Sequence, residues 1–388
     1  MTGQGYHEGY AKDGTQPPHT GIGWRSGAAL AFAVAVVLGA AGLNWVKVDQ
    51  VVYSPGPVYD TLGTIDDEDV VRMDPDLPTY PTDGALYFTT IRLAGGPGDD
   101  VSAWDYVVAR WLDPSTTVVP REDVFPDDVT ADQIREQNTE LMQHSQQDAA
   151  VVALRAAGIE VPEDIVVAQV IADAPADGVL HVDDQILAVE GESMHDAETV
   201  RARLQEVDPG QSATMTLVRD GEEVEIDVPT KADEETGRTI VGVYLAPRYD
   251  MPYDVTIDAG NVGGPSAGMM FALAIYDTIT EGSMTGGESF AGTGTISGNG
   301  TVGPIGGIQQ KMFASARAGS EVFLAPADNC RDVVGHEPRG LTVVPVSTFE
   351  EARGYVEQVA SADDVDDLAL PTCAATLEDA DDADTTGG

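Results

Sequence analysis

Lysine is nearly absent from this sequence. Among 388 residues only four lysines occur, Lys12, Lys47, Lys231 and Lys311, and 66 acidic residues outnumber 20 basic ones for a net charge of −46. Such a chain repels phosphate backbones and offers no basic patch that could follow them, which excludes nucleic-acid binding. The acidic excess is typical of a solvated surface, as in proteins made for salty surroundings, and indicates no chemistry.

Cysteine is scarce as well. The chain has two, Cys330 and Cys373, and contains no CxxC or HExxH sequence and no cluster of cysteine and histidine. We therefore expect no metal site and no cofactor. Spacing alone leaves two alternatives for the cysteines: a single disulfide, if this part of the chain lies outside the cytoplasm, or two free thiols.

Charged residues are missing from the run between Gly27 and Val46. Twenty helical residues at about 1.5 Å each reach about 30 Å, which matches the hydrocarbon core of a bilayer. Trp24 and Trp45 bracket the run, where indole rings favour the membrane interface. The pattern therefore predicts a transmembrane helix over residues 26–46.

The alternative to a retained anchor is a cleaved signal peptide, because Ala40 and Ala41 are small residues that suit a processing enzyme. Most of the chain follows the apolar run, so we expect residues 1–25 to be a disordered cytoplasmic head. The predicted protein is then a single-pass protein of the cell membrane with its folded part extracytoplasmic.

Short β-type runs interrupted by proline and glycine follow the apolar segment. They predict a β-rich N-terminal part of the ectodomain over residues 47–160. Within it, residues 130–157 are predicted to form a helix, with Thr130 as its N-cap and Gly158 as its stop.

Residues 161–230 predict a compact module of strands and one helix, with a hairpin turning at Asp220-Gly221. The phrases APADGVL, DDQILAVEGE and MTLVRDGEE resemble a PDZ domain, although Asp183-Asp184 stands where such domains usually have Gly-Asp. The resemblance implies capture of peptides by strand addition. Gly158-Ile159 is our candidate for the loop that receives the peptide carboxylate, and the alternative is a packing spacer that binds no peptide.

The rest of the chain divides into three parts. Residues 231–239 are expected to be a polar linker, and residues 240–360 a last domain of alternating strands and helices rich in glycine. Residues 374–388 form an acidic tail of small residues that is predicted to be disordered. The whole chain is thus expected to have an α+β multidomain fold.

A glycine-rich loop delivers Ser266 to the start of an apolar helix. Glycines let the backbone approach a bound peptide closely, and the unpaired N–H groups at a helix start suit a developing oxyanion. The same pattern also fits a phosphate-binding loop at Gly263–Ser266 or a serine that merely caps the helix.

Lys311 is the base that such a serine needs. It lies among Ile308, Met312 and Phe313 on a predicted helix that follows two glycines, and no histidine partner for Ser266 is evident. Burial that lowers the pKa of a lysine from about 10.4 toward 7 makes it a general base. The alternative is an ordinary solvated lysine on a helix.

The two segments together resemble a known family. GGPSAG before a helix, then GTGTI, then VGPIGGIQQK closely resembles the proteolytic domain of Lon peptidases, over residues 240–360. The resemblance implies that Ser266 is the nucleophile, that Lys311 is the general base and that Thr293 hydrogen-bonds the lysine. Asp258 is a weaker candidate for tuning the site, for which turn capping is the alternative.

The resemblance extends beyond that domain. With its apolar run and PDZ-like module, the chain resembles the bacterial membrane-anchored, PDZ-containing Lon-like proteins, especially those of actinobacteria. The segment PADNC, which ends at Cys330, and the segment PTC, which ends at Cys373, match that family and favour a disulfide between the two cysteines. The implied activity is a serine endopeptidase of the Lon-like type with a C-terminal α/β proteolytic domain.

One departure from Lon is informative. The chain contains no GxxxxGK[ST] sequence, so we expect no ATPase motor and an ATP-independent activity on segments that are already unfolded. The PDZ-like module is expected to deliver or gate these substrates. The resemblance also implies a homo-oligomeric ring. The rival interpretation is a membrane-tethered PDZ scaffold with a degenerate peptidase fold.

Overall fold

The structure is a computed structural model that describes residues 24–126, 129–365 and 368–386. Its helices, in chain order, are α1 (Trp24–Leu43), α2 (Ala103–Trp111), α3 (Ala131–Ala156), α4 (Ala197–Leu204), α5 (Gly268–Ile279), α6 (Ile308–Ala318), α7 (Cys330–Val333), α8 (Phe349–Ala360) and α9 (Cys373–Thr386).

Strands make up most of the remaining regular structure. They are β1 (Lys47–Val48), β2 (Gln50–Asp60), β3 (Thr64–Ile65), β4 (Glu68–Asp69), β5 (Val71–Met73), β6 (Ala85–Ala94), β7 (Val101–Ser102), β8 (Thr117–Pro120), β9 (Glu163–Val170), β10 (Gln185–Val189), β11 (Glu192–Ser193), β12 (Ser212–Arg219), β13 (Glu222–Pro229), β14 (Lys231–Ala232), β15 (Thr239–Ile240), β16 (Val243–Tyr249), β17 (Val255–Ile257), β18 (Ser289–Gly292), β19 (Thr295–Ile296), β20 (Val302–Gly303), β21 (Val322–Pro326) and β22 (Thr342–Val346).

A six-stranded sheet joins the two ends of the chain. Its strand order is β22-β21-β18-β6-β2-β8, with the first four strands parallel and β2 antiparallel to both of its neighbours. Three of these strands precede the PDZ-like module and three follow it. Residues 47–160 and 240–360, which are expected to be separate regions, share one sheet. Alternating apolar residues predict a strand but do not specify a partner 200 residues away.

Helix α5 packs against strand β6 of this sheet, and α3 packs against α5. Every residue of α5 from Gly268 to Ile275 is buried, and the second half of α3 is buried over residues 149–154. The helix expected over residues 130–157 is α3, and the Thr130 hydroxyl accepts a hydrogen bond from the Gln133 backbone N–H as its N-cap. Burial of the apolar α5 side chains excludes water from the face of the sheet that they cover.

The PDZ-like module has a sheet and a core of its own. The strand order is β13-β12-β10-β9-β16, and its core includes Ile165, Val167, Leu180 and Leu217. The hairpin expected at Asp220-Gly221 is present, with both residues at positive φ (51° and 81°) as a two-residue turn of this kind requires.

One expectation about this module is wrong. Strand β16, which the sequence analysis assigns to the last domain, pairs with β9 from Val243↔Val170 to Tyr249↔Glu163 and forms the edge of the PDZ-like sheet. Gly158 and Ile159 close the end of α3 shortly before β9, and Ile159 packs against the main core. Their role as a carboxylate-binding loop stays a prediction. The edge strands of the module's sheet are β13 and β16.

The first and the last elements of the described chain are helices. A helix is present over Trp24–Leu43, and among the residues that the structure describes no helix is long and apolar enough to cross a membrane. The head predicted over residues 1–25 lies, up to residue 23, outside the described residues. The tail predicted to be disordered forms α9 instead. The disulfide at Cys373 and the packing of Leu377 against a core cluster hold the start of that helix in place.

Candidate active site

Ser266 lies at the end of the loop that connects β17 to α5. The loop is fixed from one side by α3, because the Gly264 N–H donates to the Asn138 carbonyl at 2.9 Å. The Ser145 hydroxyl donates to the Pro265 carbonyl at 2.9 Å. Helix α3 thus holds both Gly264 and Pro265, the two residues that precede the serine.

The glycine two residues after this serine, Gly268, is required by packing. A Cβ at Gly268 would lie 2.4 Å from the Ser145 hydroxyl and 2.8 Å from a side-chain methyl of Ile296. Neither distance is compatible with a side chain, so only glycine lets α5 begin this close to α3. The position of Ser266 at the helix start depends on that close approach.

Lys311 is the most unusual charged residue of the described chain. It lies on α6, its side chain is 2 % exposed, and the flanking Ile308 and Met312 are buried with it. Burial lowers the pKa of Lys311 from 10.5 to about 7. The ion pairs among the described residues do not include it. At neutral pH the amine is therefore half uncharged, without a carboxylate to hold its proton.

The structure brings the three predicted site residues together. The Lys311 amine lies 2.7 Å from the Ser266 Oγ and donates to the Thr293 hydroxyl at 2.8 Å. The Thr293 hydroxyl in turn donates to the Ser266 carbonyl at 2.9 Å, and the Gly294 N–H donates to the same carbonyl at 2.8 Å. All three side chains belong to one closed hydrogen-bonded group.

Asp258 does not join this group. Its carboxylate accepts a hydrogen bond from the Gly260 N–H at 2.9 Å and so caps a turn in the loop. Among the described residues no histidine hydrogen-bonds Ser266 or lines the cleft around it. Of the sequence-based candidates, Asp258 therefore serves the loop, whereas Lys311 contacts the serine.

A cleft of about 540 Å³ opens over the serine. Strand β6 forms one wall, with Thr89 to Leu93, and the nucleophile loop forms another, with Gly263 and Gly264. Strand β18 pairs with β6 only as far as Phe88, so the rest of β6 has a free edge on that side. The cleft combines apolar surface with an unpaired strand, as a site for an extended peptide requires.

Sequence reasoning missed the contribution of α3. Asn138 and Ser145 lie about 120 residues before the loop that they hold, and no motif links them to it. One signal exists: Ser145 occupies a buried position in line with Met142 and Ala149, at spacings of three and four residues. A hydroxyl on an apolar helix stripe needs a buried acceptor, but the sequence does not say which.

The two cysteines are joined in a disulfide between Cys330 and Cys373, and both are buried. Their core cluster contains Ile308 and Met312, which flank Lys311 on α6. The bridge thus ties the C-terminal segment to the apolar packing that surrounds the lysine.

Comparison with known proteins matches two segments of the chain. Residues 251–353 match the family described as the Lon protease (S16) C-terminal proteolytic domain, and residues 127–230 match the PDZ domain. The chain is 33 % identical to the archaeal Lon protease of Archaeoglobus fulgidus over 180 residues, which is 44 % of this chain and 27 % of that protein. It is 36 % identical to the Lon protease of Azospirillum brasilense over 91 residues, 23 % of this chain and 11 % of that protein.

This chain therefore spans about a quarter or less of the length of these relatives. Among solved structures, the PDZ domain of an SdrC-like protein from Listeria monocytogenes is similar at 21 % identity, with a TM-score of 0.20, over 21 % of this chain and 85 % of that one. By its matched segments, the chain carries a Lon-type proteolytic domain together with a PDZ domain.

Proposed function

We propose that this protein is an ATP-independent serine endopeptidase in which Ser266 is the nucleophile and Lys311 the general base. The observation that carries the proposal is the 2.7 Å distance between the lysine amine and the serine Oγ, at a lysine that burial keeps half neutral near pH 7. A base must lie within hydrogen-bond reach of the proton that it removes and titrate near the working pH.

Thr293 determines how the Lys311 amine is oriented towards Ser266. Its only hydroxyl hydrogen is directed at the Ser266 carbonyl, so its oxygen can only accept from Lys311. An uncharged amine has two hydrogens and one lone pair. With one N–H directed at Thr293, the lone pair is free to accept the Ser266 hydroxyl hydrogen. The threonine thus orients the amine for general-base chemistry.

The reaction follows from these positions. Lys311 takes the Ser266 proton as Oγ attacks the peptide carbonyl, and it then gives that proton to the leaving amine. Water completes the cycle by hydrolysing the acyl-enzyme. The backbone N–H groups of Ser266 and Ala267 donate no hydrogen bond among the described residues, and both lie at the positive end of α5. They are placed to stabilise the oxyanion.

Substrate selection involves two free strand edges. The unpaired part of β6 beside Ser266 suits an extended segment of the substrate, and the edge strand β16 of the PDZ-like module suits a second segment. Both modes need a chain that is already unfolded. The sequence contains no GxxxxGK[ST] motif to unfold it, which supports substrates that are misfolded or flexible proteins.

We further propose that the protein is held at the cell membrane by the charge-free run from Gly27 to Val46, with the peptidase outside the cytoplasm. The disulfide between Cys330 and Cys373 supports this location, because such bonds persist in oxidising compartments.

Cleavage of an unfolded protein such as casein tests the activity. Ser266→Ala and Lys311→Ala should each abolish it, whereas Lys231→Ala, which removes an exposed lysine of the linker region, should leave it unchanged. Addition of ATP and Mg²⁺ should not alter the wild-type rate. Near-wild-type turnover in either site variant would refute the assignment.

A further inference from the structure

The tryptophans of this chain are confined to its N-terminal third. The four are Trp24, Trp45, Trp104 and Trp111, and the 277 residues that follow contain none. Three of them are exposed: Trp45 to 87 %, Trp104 to 37 % and Trp111 to 66 %. Exposed indoles are costly in water and rarely gather without a partner, so this distribution indicates a surface that is covered in use.

Helix α2 presents two of these rings on one side. Trp104, Val108 and Trp111 are spaced four and three residues apart, which aligns them along one helix face. Leu112, the residue that ends the helix, is 67 % exposed and extends the stripe. On the opposite side, Ala109 is buried in a small core cluster. The helix is therefore amphipathic, with its larger apolar side chains directed away from the protein.

This helix is held firmly in that orientation. The Ser102 hydroxyl caps its start by accepting a hydrogen bond from the Asp105 N–H at 3.1 Å. The Trp111 ring packs edge-on against Tyr106, with 6.0 Å between ring centroids. The outward stripe is thus a property of the fold and not of a loose segment.

The stripe begins where the apolar N-terminal run ends. The Ala103 N–H, at the first residue of α2, donates to the Val46 carbonyl at 2.7 Å. Strands β1 and β7 join the same two segments, with Lys47 opposite Ser102. Whatever environment receives Trp45 and Val46 therefore also lies next to α2.

The chemistry of this surface favours a lipid bilayer over a protein partner. Tryptophan prefers the interface between headgroups and acyl chains, and amphipathic helices lie in that plane. The acidic residues at the two ends of α2 each accept a hydrogen bond from a nearby hydroxyl, Asp105 from Ser102 at 2.7 Å and Asp113 from Ser115 at 2.6 Å.

We propose that α2 is a second membrane contact, with Trp104, Trp111 and Leu112 inserted into the headgroup–acyl boundary to a depth of roughly 5–10 Å. The inference rests on the membrane anchoring proposed above and adds to it. The run from Gly27 to Val46 alone would let the peptidase rotate about it, whereas two adjacent contacts fix the orientation of the peptidase on the bilayer.

Tryptophan fluorescence of the full chain in phosphatidylcholine vesicles tests the proposal, because the chain has only four tryptophans. One variant, Trp24→Phe with Trp45→Phe, keeps only the α2 rings. The matched control, Trp104→Phe with Trp111→Phe, keeps only the rings that flank the apolar run. Each variant is compared in vesicles with and without bromine on the acyl chains, and casein cleavage by both variants verifies folding.

We expect brominated lipid to quench the α2 rings strongly and iodide in the buffer to quench them weakly. If only the control is quenched by brominated lipid, the protein is anchored but α2 does not touch the bilayer, and this inference fails. If neither variant is quenched, the membrane anchoring proposed above fails as well. Protection from both quenchers would mean that α2 packs against protein, such as a second copy of this chain, and would also overturn the proposal.

Discussion

A buried lysine without a partner carboxylate should make stability depend on pH in a specific way, and Lys311→Met isolates that dependence. Methionine keeps the length and apolar character of the side chain but has no proton to lose. Its effect on the hydrogen bonds to Ser266 and Thr293 is about 1 kcal/mol each and does not vary with pH. The difference between the two proteins in how stability changes with pH therefore reports the titration of Lys311.

The magnitude follows from the pKa of Lys311, 10.5 when solvated and about 7 in the fold. Between those pH values the unfolded chain binds a proton that the folded protein does not, so the free energy of unfolding rises with pH over that range. The complete change is about 5 kcal/mol, since one pKa unit corresponds to about 1.4 kcal/mol. Below about pH 7 the full penalty is present, and above pH 10.5 it is gone.

Urea unfolding at pH 7, 8 and 9 measures the effect. From pH 7 to pH 9, wild-type protein should gain about 2 kcal/mol relative to Lys311→Met. Ser266→Ala is the matched control, because it removes the neighbouring hydroxyl but keeps the buried amine and so should follow the wild-type trend. If the difference between wild type and Lys311→Met is the same at all three pH values, Lys311 is not neutralised by burial, and the reasoning fails.

Four further outcomes follow. The kcat/KM for a peptide should rise with pH through about 7, the pKa of Lys311, and then level off; a rate that is flat from pH 6 to 8 would contradict this. Thr293→Val should lower kcat by roughly 10-fold to 100-fold with KM little changed, because it removes the group that orients the amine, and unchanged kcat would speak against that role. Ser145→Ala should also reduce kcat, by about 10-fold, through the loop at Pro265; a change in KM alone would exclude a positioning role. Tyr249→Phe leaves the half-buried Asp148 carboxylate without its phenol donor and should cost about 1 kcal/mol in urea unfolding, whereas wild-type stability would show that this contact is dispensable.

The catalytic group could be predicted from the sequence because its parts lie in short, distinctive segments. Ser266 stands in a glycine-rich loop and Lys311 follows a Gly-Gly pair, and each local pattern specifies its own backbone. The structure places their side chains in contact with Thr293, as the resemblance to Lon peptidases implies.

The support for that group could not be predicted in the same way. Ser145 and Asn138 reach the nucleophile loop from a helix far earlier in the chain. Strands β2, β6 and β8 complete a sheet whose other half lies beyond the PDZ-like module. Such contacts are fixed by tertiary packing, and neither residue type nor periodicity encodes them locally.

Edge strand β16 illustrates the same limit. Its membership of the PDZ-like sheet depends on pairing with β9, which no local sequence pattern specifies. A boundary drawn at the polar linker of residues 231–239 therefore divides a single sheet. Composition identifies a polar segment, whereas strand pairing determines which residues belong to the same domain.

The cleft around Ser266 contains no imidazole among its described lining residues, and this affects how the proposed peptidase is inhibited. Chloromethyl ketones inactivate many serine peptidases by alkylating an active-site histidine, and here they would find no such target. Boronates need only an attacking hydroxyl and space for a tetrahedral adduct, so Ser266 remains a target for them. Sensitivity to the second class with resistance to the first would thus distinguish this peptidase from histidine-dependent enzymes in the same extract.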